Sequence, residues 1–148
     1  MTTMTTQEAN KAAVQRLCEA VNMGNIDALD EMFTPDVVTH GDAMFPLVQG
    51  REAVKNGIRA MRAAFPDAAF TLERLFGEAD KVVIHIRANG TQQGAWLGVE
   101  PTGRQMVWTA SAIARFNNGK IVENWIIQDE LGMMQQLGLV PTPGQGQQ

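Results

Sequence analysis

At Pro66-Asp67 the chain changes its hydrophobic period, and that change limits the folds open to it. Upstream, apolar residues recur every three or four positions, as on the buried stripe of a helix. Downstream they alternate with polar residues in β-branched and aromatic runs, as on half-buried strands. Helices first and strands afterwards predict an α+β domain whose helices cover one face of a curved antiparallel sheet. The 148 residues, 45% hydrophobic and 19% charged, suit one such domain, which removes about 70% of its unfolded surface from water without metal or disulfide staples.

Individual elements follow from local chemistry. Thr5 and Glu8 have capping-box spacing, Val14, Leu17, Cys18 and Val21 form one stripe, and Gly24 is a stop signal. Asn25 is placed to cap a short second helix through Leu29 and Met32, ended by Pro35. Val37 to His40 reads as a strand, and Val54, Ile58, Met61 and Phe65 as the stripe of a third helix. Turn chemistry then marks Gly77 to Asp80, Glu100 to Gly103, and Asn117-Asn118-Gly119-Lys120, the last a tight hairpin signal. A final strand from Ile121 to about Asp129 leads into a short helix bearing Leu131, Met134 and Leu137. Residues 1–140 are expected to form the single domain, and 141–148 a disordered tail.

Composition excludes several classes. One cysteine allows no intrachain disulfide and no cysteine-based zinc cluster. A net charge of -4 argues against nucleic acid or anionic lipid as partner. With no basic leader and no run of roughly 20 apolar residues, a soluble cytoplasmic protein is expected. The chain has no tyrosine, so no tyrosine acid or oxyanion donor is available.

Side-chain parity nominates site residues. Val82, Ile84, Ile86 and Ala88 share a face that Gln92 continues, and Ile121, Glu123, Trp125, Ile127 and Asp129 share another. Asp129 thereby ends a face carrying a large indole, where desolvation would raise its pKa into the acid/base range. The same position suits a cap for the following helix. His40 stands two residues before Asp42 at a strand-to-loop junction. That spacing matches no metal motif, and His40 is read as a hydrogen-bonding residue. His85 is read as outward-facing. Asn89 beside Arg87 supplies no acid, which removes an epoxide-opening site. Cys18 belongs to a helix stripe, and Trp96, Trp108 and Trp125 offer flat apolar surfaces for core or ligand. Gly94 and Gly98 lack the strand-to-helix order of a phosphate loop.

Several segments together resemble one family. Pro35-Asp36-Val37-Val38-Thr39-His40, Gly50-Arg51-Glu52-Ala53-Val54, Phe65-Pro66-Asp67, Gly90-Thr91-Gln92-Gln93-Gly94, Pro101-Thr102-Gly103-Arg104, Gly119 to Trp125, Asp129 and Gln136-Leu137-Gly138 occur in the order seen in SnoaL-like polyketide cyclases. These form a branch of the nuclear transport factor 2-like superfamily. The resemblance implies a cone-shaped α+β fold with a deep apolar cavity, in a homo-oligomer, most simply a dimer. It implies cofactor-free intramolecular aldol closure of a polyketide ester, with Asp129 as general acid/base. Many relatives carry His where this chain has Gln92, an amide that can orient a carbonyl but cannot shuttle a proton. The expected site therefore comprises Asp129 and His40 as catalytic residues. Gln92, Trp125, Trp108, Phe33 and Phe45 are its substrate contacts, on a hydrophobic carbonyl compound. A small-molecule binding protein using the same cavity without turnover is the alternative, and a scaffold whose cavity is filled by its own side chains is a third.

Overall fold

The computed structural model describes residues 4–144, so the last four residues of the expected tail lie outside it. Helix α1 spans Thr6–Met23. Both halves of its capping box form, Glu8 N–H to Thr5 Oγ1 at 3.1 Å and Thr5 N–H to Glu8 Oε2 at 3.0 Å. Gly24 ends it in the left-handed region, φ 71°. The second helix is a single 3-10 element, Ile26–Glu31, without a side-chain cap from Asn25. Strand β1 then starts at Phe33 and runs to His40, four residues earlier than the alternation alone indicates. Pro35 lies inside it rather than before it. The proline lacks an N–H for the ladder, and it falls where the register with the neighbouring strand shifts, between Phe33 and Val38.

Strand β2 is the dipeptide Val48–Gln49, and α2 spans Arg51–Ala64. Four long strands follow: β3 Ala69–Glu78, β4 Lys81–Thr91, β5 Gln105–Asn117 and β6 Lys120–Gln128. Short helix α3, Glu130–Leu137, comes last. The first hairpin turns at Ala79-Asp80, so Gly77 belongs to β3 and Ala79 takes the positive φ of 54°. Asn118 and Gly119, at φ 52° and 81°, make the expected tight turn between β5 and β6. Helix α3 buries Met133 and Leu137 and leaves Leu131 57% exposed, one position away from the expected stripe.

The sheet order is β2-β1-β6-β5-β4-β3. The antiparallel expectation holds except at β1 and β6, which pair in parallel. Strands so far apart in the chain are joined by a long crossover instead of a hairpin, so either direction is open to them. Helix α1 packs on β3 and β4, and α2 on β1.

One irregularity sets every side-chain direction in β6. Arg115 pairs with Glu123 but Phe116 with Ile121, which makes Val122 an extra residue, a β-bulge. Ile121 faces the helices and is 3% exposed; beyond the bulge the inward positions are Asn124, Ile126 and Gln128. Glu123, Trp125, Ile127 and Asp129 do share a face, but it is the outer one. Ile127 is accordingly 70% exposed.

Candidate functional site

The face of the sheet toward the helices is apolar, and its core divides in two. Val14, Leu29, Phe33, Val37, Val82 and Ile121 belong to one cluster, and Phe65, Met106, Trp108, Met133 and Leu137 to the other. Where they divide, β5 presents Ala110 and Ala112 beside Asn124, Ile126 and Gln128 of β6. Ala110 and Ile126 belong to neither cluster, and Ala112, Ile126 and Gln128 are only half-buried although they face the helices. Small side chains on one strand opposite longer ones on the next leave relief in the wall. Among the described residues, the inner face of β1 and β3 to β6 carries no carboxylate, imidazole or ammonium.

Phe45, Phe65, Trp96 and Trp108 meet at one end of this face. Phe65 stands 5.3 Å from Trp108 and 5.8 Å from Trp96, and Phe45 lies 6.0 Å from Trp96, centroid to centroid. The expected ligand contacts Trp108 and Phe45 thus come together, joined by Phe65, the last residue of the expected helix stripe, and by Trp96, read as a flat apolar surface for core or ligand. Phe33 lies in the other cluster, and Trp125 is on the outer face.

Gln92 is fully buried, but it serves the loop between β4 and β5. Its amide NH2 donates to Gly94 and Val99 carbonyls at 3.2 and 3.1 Å, and its Oε1 accepts from Thr102 N–H and Oγ1–H at 3.1 and 2.6 Å. Both donors and both lone pairs of the amide are engaged. Gln92 thus organises the loop, and a substrate carbonyl would have to displace one of these contacts to reach it.

His40 is likewise committed elsewhere. Its Nε2 lies 2.7 Å from Glu123 Oε2, and its ring stacks on Trp125 at 5.3 Å and 8°. Arg115 holds the other Glu123 oxygen at 3.0 Å. Hydrogen bonds from His40 and then Arg115 hold the Glu123 carboxyl below its usual range. All four groups stand on the outer face, the opposite side from Trp108 and Phe45. For Glu123 and Trp125 the bulge at Val122 is the reason. His85 is also on this face, 3.1 Å from Arg74.

Asp129 caps α3. Its Oδ1 accepts Gly132 N–H at 3.0 Å, its own N–H donates to Thr109 O at 3.0 Å, and the residue is exposed. It lines an open depression of about 390 Å³ with Thr109, Ser111 and Ile127. Of the two readings open to Asp129, the cap is realised, and it does not end the buried face. Two further carboxyls flank it. Asp42 accepts N–H groups of Phe45 and Gln128, each at 3.2 Å, and Glu130 accepts Met44 N–H at 2.8 Å. Asp42 and Glu130 are close enough to shift each other's titration. Burial pushes Asp42 up, but its hydrogen bonds outweigh this and hold it below the ordinary range, while the bond to Asp42 raises Glu130. No group of three His, Cys, Asp or Glu among the described residues is arranged to hold a metal ion.

Sheet, helices and aromatic end together define a class, and the comparisons agree with it: the chain belongs to the SnoaL-like polyketide cyclase family, whose pattern it matches over residues 11–137. It is similar to the aklanonic acid methyl ester cyclase AcmA of Streptomyces galilaeus, 29% identical over 128 residues, which are 86% of this chain and 89% of the relative. Among solved structures it resembles IdmH of Streptomyces antibioticus, a candidate polyketide cyclase, at 33% identity and a TM-score of 0.76, covering 87% of this chain and 98% of that one. It also resembles AclR of Streptomyces galilaeus, a candidate hydroxylase, at 27% identity and a TM-score of 0.83 over 92% and 85% of the two chains. Neighbours described by such different reactions share one scaffold, so the chemistry must be argued from the site. No helix among the described residues is long and apolar enough to cross a membrane.

Proposed function

We propose that the protein is a cofactor-free, cyclase-type enzyme that closes a ring in a hydrophobic carbonyl compound. The observation that carries this reading is the family match across residues 11–137, which spans the whole sheet, α2, α3 and most of α1. AcmA is named for cyclising a methyl ester, and the depression beside Asp129 is lined in part by apolar Ala110 and Ile127. The acid/base is proposed to be Asp129, at the junction of β6 and α3 where Asp42 and Glu130 also gather. As carboxylate, Asp129 removes a proton from carbon beside a carbonyl. That carbon then attacks a second carbonyl of the same molecule, and the carboxylic acid returns the proton to the alkoxide. The reacting carbons are placed in the open depression that Asp129 lines with Thr109, Ser111 and Ile127, on its own side of the sheet.

Deuterium uptake from D2O into aromatic and aliphatic ketones and β-keto esters, read by mass spectrometry, tests the chemical step. Wild type should accelerate uptake, and Asp129→Asn should lower it by about 10²–10⁴-fold while binding survives. Unchanged uptake in the variant sinks the assignment of Asp129.

One observation favours a second reading, binding without turnover on the inner face, with Phe45, Trp96 and Trp108 as ligand contacts: the sheet's inner face carries no carboxylate, imidazole or ammonium among the described residues. A ligand recovered unchanged after long incubation, yet raising the melting temperature, would select it. Under either reading we propose that the protein works as a homo-oligomer, most simply a dimer. The support is an apolar cross-strand row on the outer face, Phe76, Val83 and Ile113, respectively 62%, 41% and 40% exposed.

A further inference from the structure

Among the described residues, two side chains on the inward positions of β1 and β6 carry a polar atom without a partner. Asn124 and Thr39 are opposite each other in the parallel register of β6 and β1, and both face the helices. Asn124 is 6% exposed, yet its Oδ1 accepts no hydrogen bond, and Thr39 Oγ1 beside it makes none. Native interiors rarely leave such groups unsatisfied, because each has given up its bonds to water. On its other side Asn124 pairs with Ala114, next to the relief formed by Ala110 and Ala112. The unsatisfied pair therefore borders the place where the core divides.

We propose that the Thr39 hydroxyl and the Asn124 amide form a subsite for a neutral oxygen function, a hydroxyl or carbonyl, on an otherwise apolar ring compound lying against β5 and β6. The chemistry follows from the donors and acceptors present. Asn124 Oδ1 takes the hydrogen of a hydroxyl, and Asn124 Nδ2 or Thr39 Oγ1 gives one to a carbonyl. Neither an anion nor a cation is suited, since the inner face offers no opposite charge and an unpaired ion there would be desolvated without return. The subsite rests on the reading of the inner face as the ligand's place, and not on turnover.

The test compares tetralin with its oxygenated counterparts 1-tetralone and 5,6,7,8-tetrahydro-2-naphthol by titration calorimetry. Wild type should bind each oxygenated probe about tenfold more tightly than the hydrocarbon, the sum of one or two neutral hydrogen bonds. In Thr39→Val/Asn124→Leu, a close match in volume, the ratio should fall to near one, tetralin should bind no worse, and the melting temperature should not drop. Equal affinities in wild type, no binding of any of the three probes, or a ratio kept in the variant overturns the subsite. A lower melting temperature in the variant does so too, because it would mean that a structural water already satisfies the pair. In wild type itself the Asn124 side-chain amide resonances should move with 1-tetralone and stay with tetralin, and the reverse overturns the proposal. Absence of deuterium uptake with the binding ratio intact would count against the cyclase reading only.

Discussion

A single amide fixes the loop between β4 and β5. Replacing Gln92 by Leu keeps the volume but removes the acceptor of Thr102 N–H and Oγ1–H and the donor to Val99 and Gly94 carbonyls. We expect a loss of about 2–3 kcal/mol by urea denaturation, because these groups sit where water does not replace the amide. Amide exchange at Thr102 should accelerate in the same variant. The two carboxyl sites give opposite pH signatures. Glu123 is held below its ordinary value of 4.5, chiefly by His40. Its contribution to stability is present above that value and is lost as pH falls through the lower, folded one. Glu130 is raised above 4.5 by Asp42, so its contribution is present below 4.5 and is lost as pH rises through the folded value. Glu130→Gln retains an acceptor for Met44 N–H and can donate to Asp42 at any pH. Its stability should match or exceed that of wild type at pH 7, and the decline with rising pH should vanish. Glu123→Gln should flatten the acid limb instead. Denaturation midpoints from pH 3 to 7 check both.

At the scale of elements, what could be read in the chain and what could not divide at one residue. The capping box at Thr5 and Glu8, the stripe of α2 and the Asn118-Gly119 turn all rest on contacts within a few positions, and all appear. Gly119 is in a conformation that costs an L residue about 1–2 kcal/mol, so Gly119→Ala should lower stability by that amount in chemical denaturation. The bulge at Val122 is different in kind. It is set by the pairing of β6 with β5, and nothing in Ile121-Val122-Glu123 marks it. Counting by twos through it sent Asp129, Trp125 and Ile127 inward and Asn124 outward, the reverse of their positions. The fold was therefore legible almost throughout. Of the candidate site residues, parity placed Gln92 on the buried side of β4, where it lies, but its hydrogen bonds depend on a loop folded back by Trp96 and Val99.

For the whole molecule, the two faces of the sheet divide the work. The inner one is apolar and uncharged; the outer one carries ion pairs, Arg87 with Glu73 and Arg115 with Glu123, around apolar rows. Ile113→Lys/Ile127→Lys places charge in those rows, and light scattering should show a shift toward monomer with an unchanged circular dichroism spectrum. An unchanged assembly would remove the outer face from consideration as the contact. The sheet also joins distant parts of the chain, since β1 hydrogen-bonds to β6 some eighty positions later. On the ribosome, β1 has only the two-residue β2 beside it until the last long strand has emerged. The first half of the polypeptide must wait for nearly the whole of the second before its central edge is closed, and synthesis, not local preference, sets the earliest moment at which the inner face can exist.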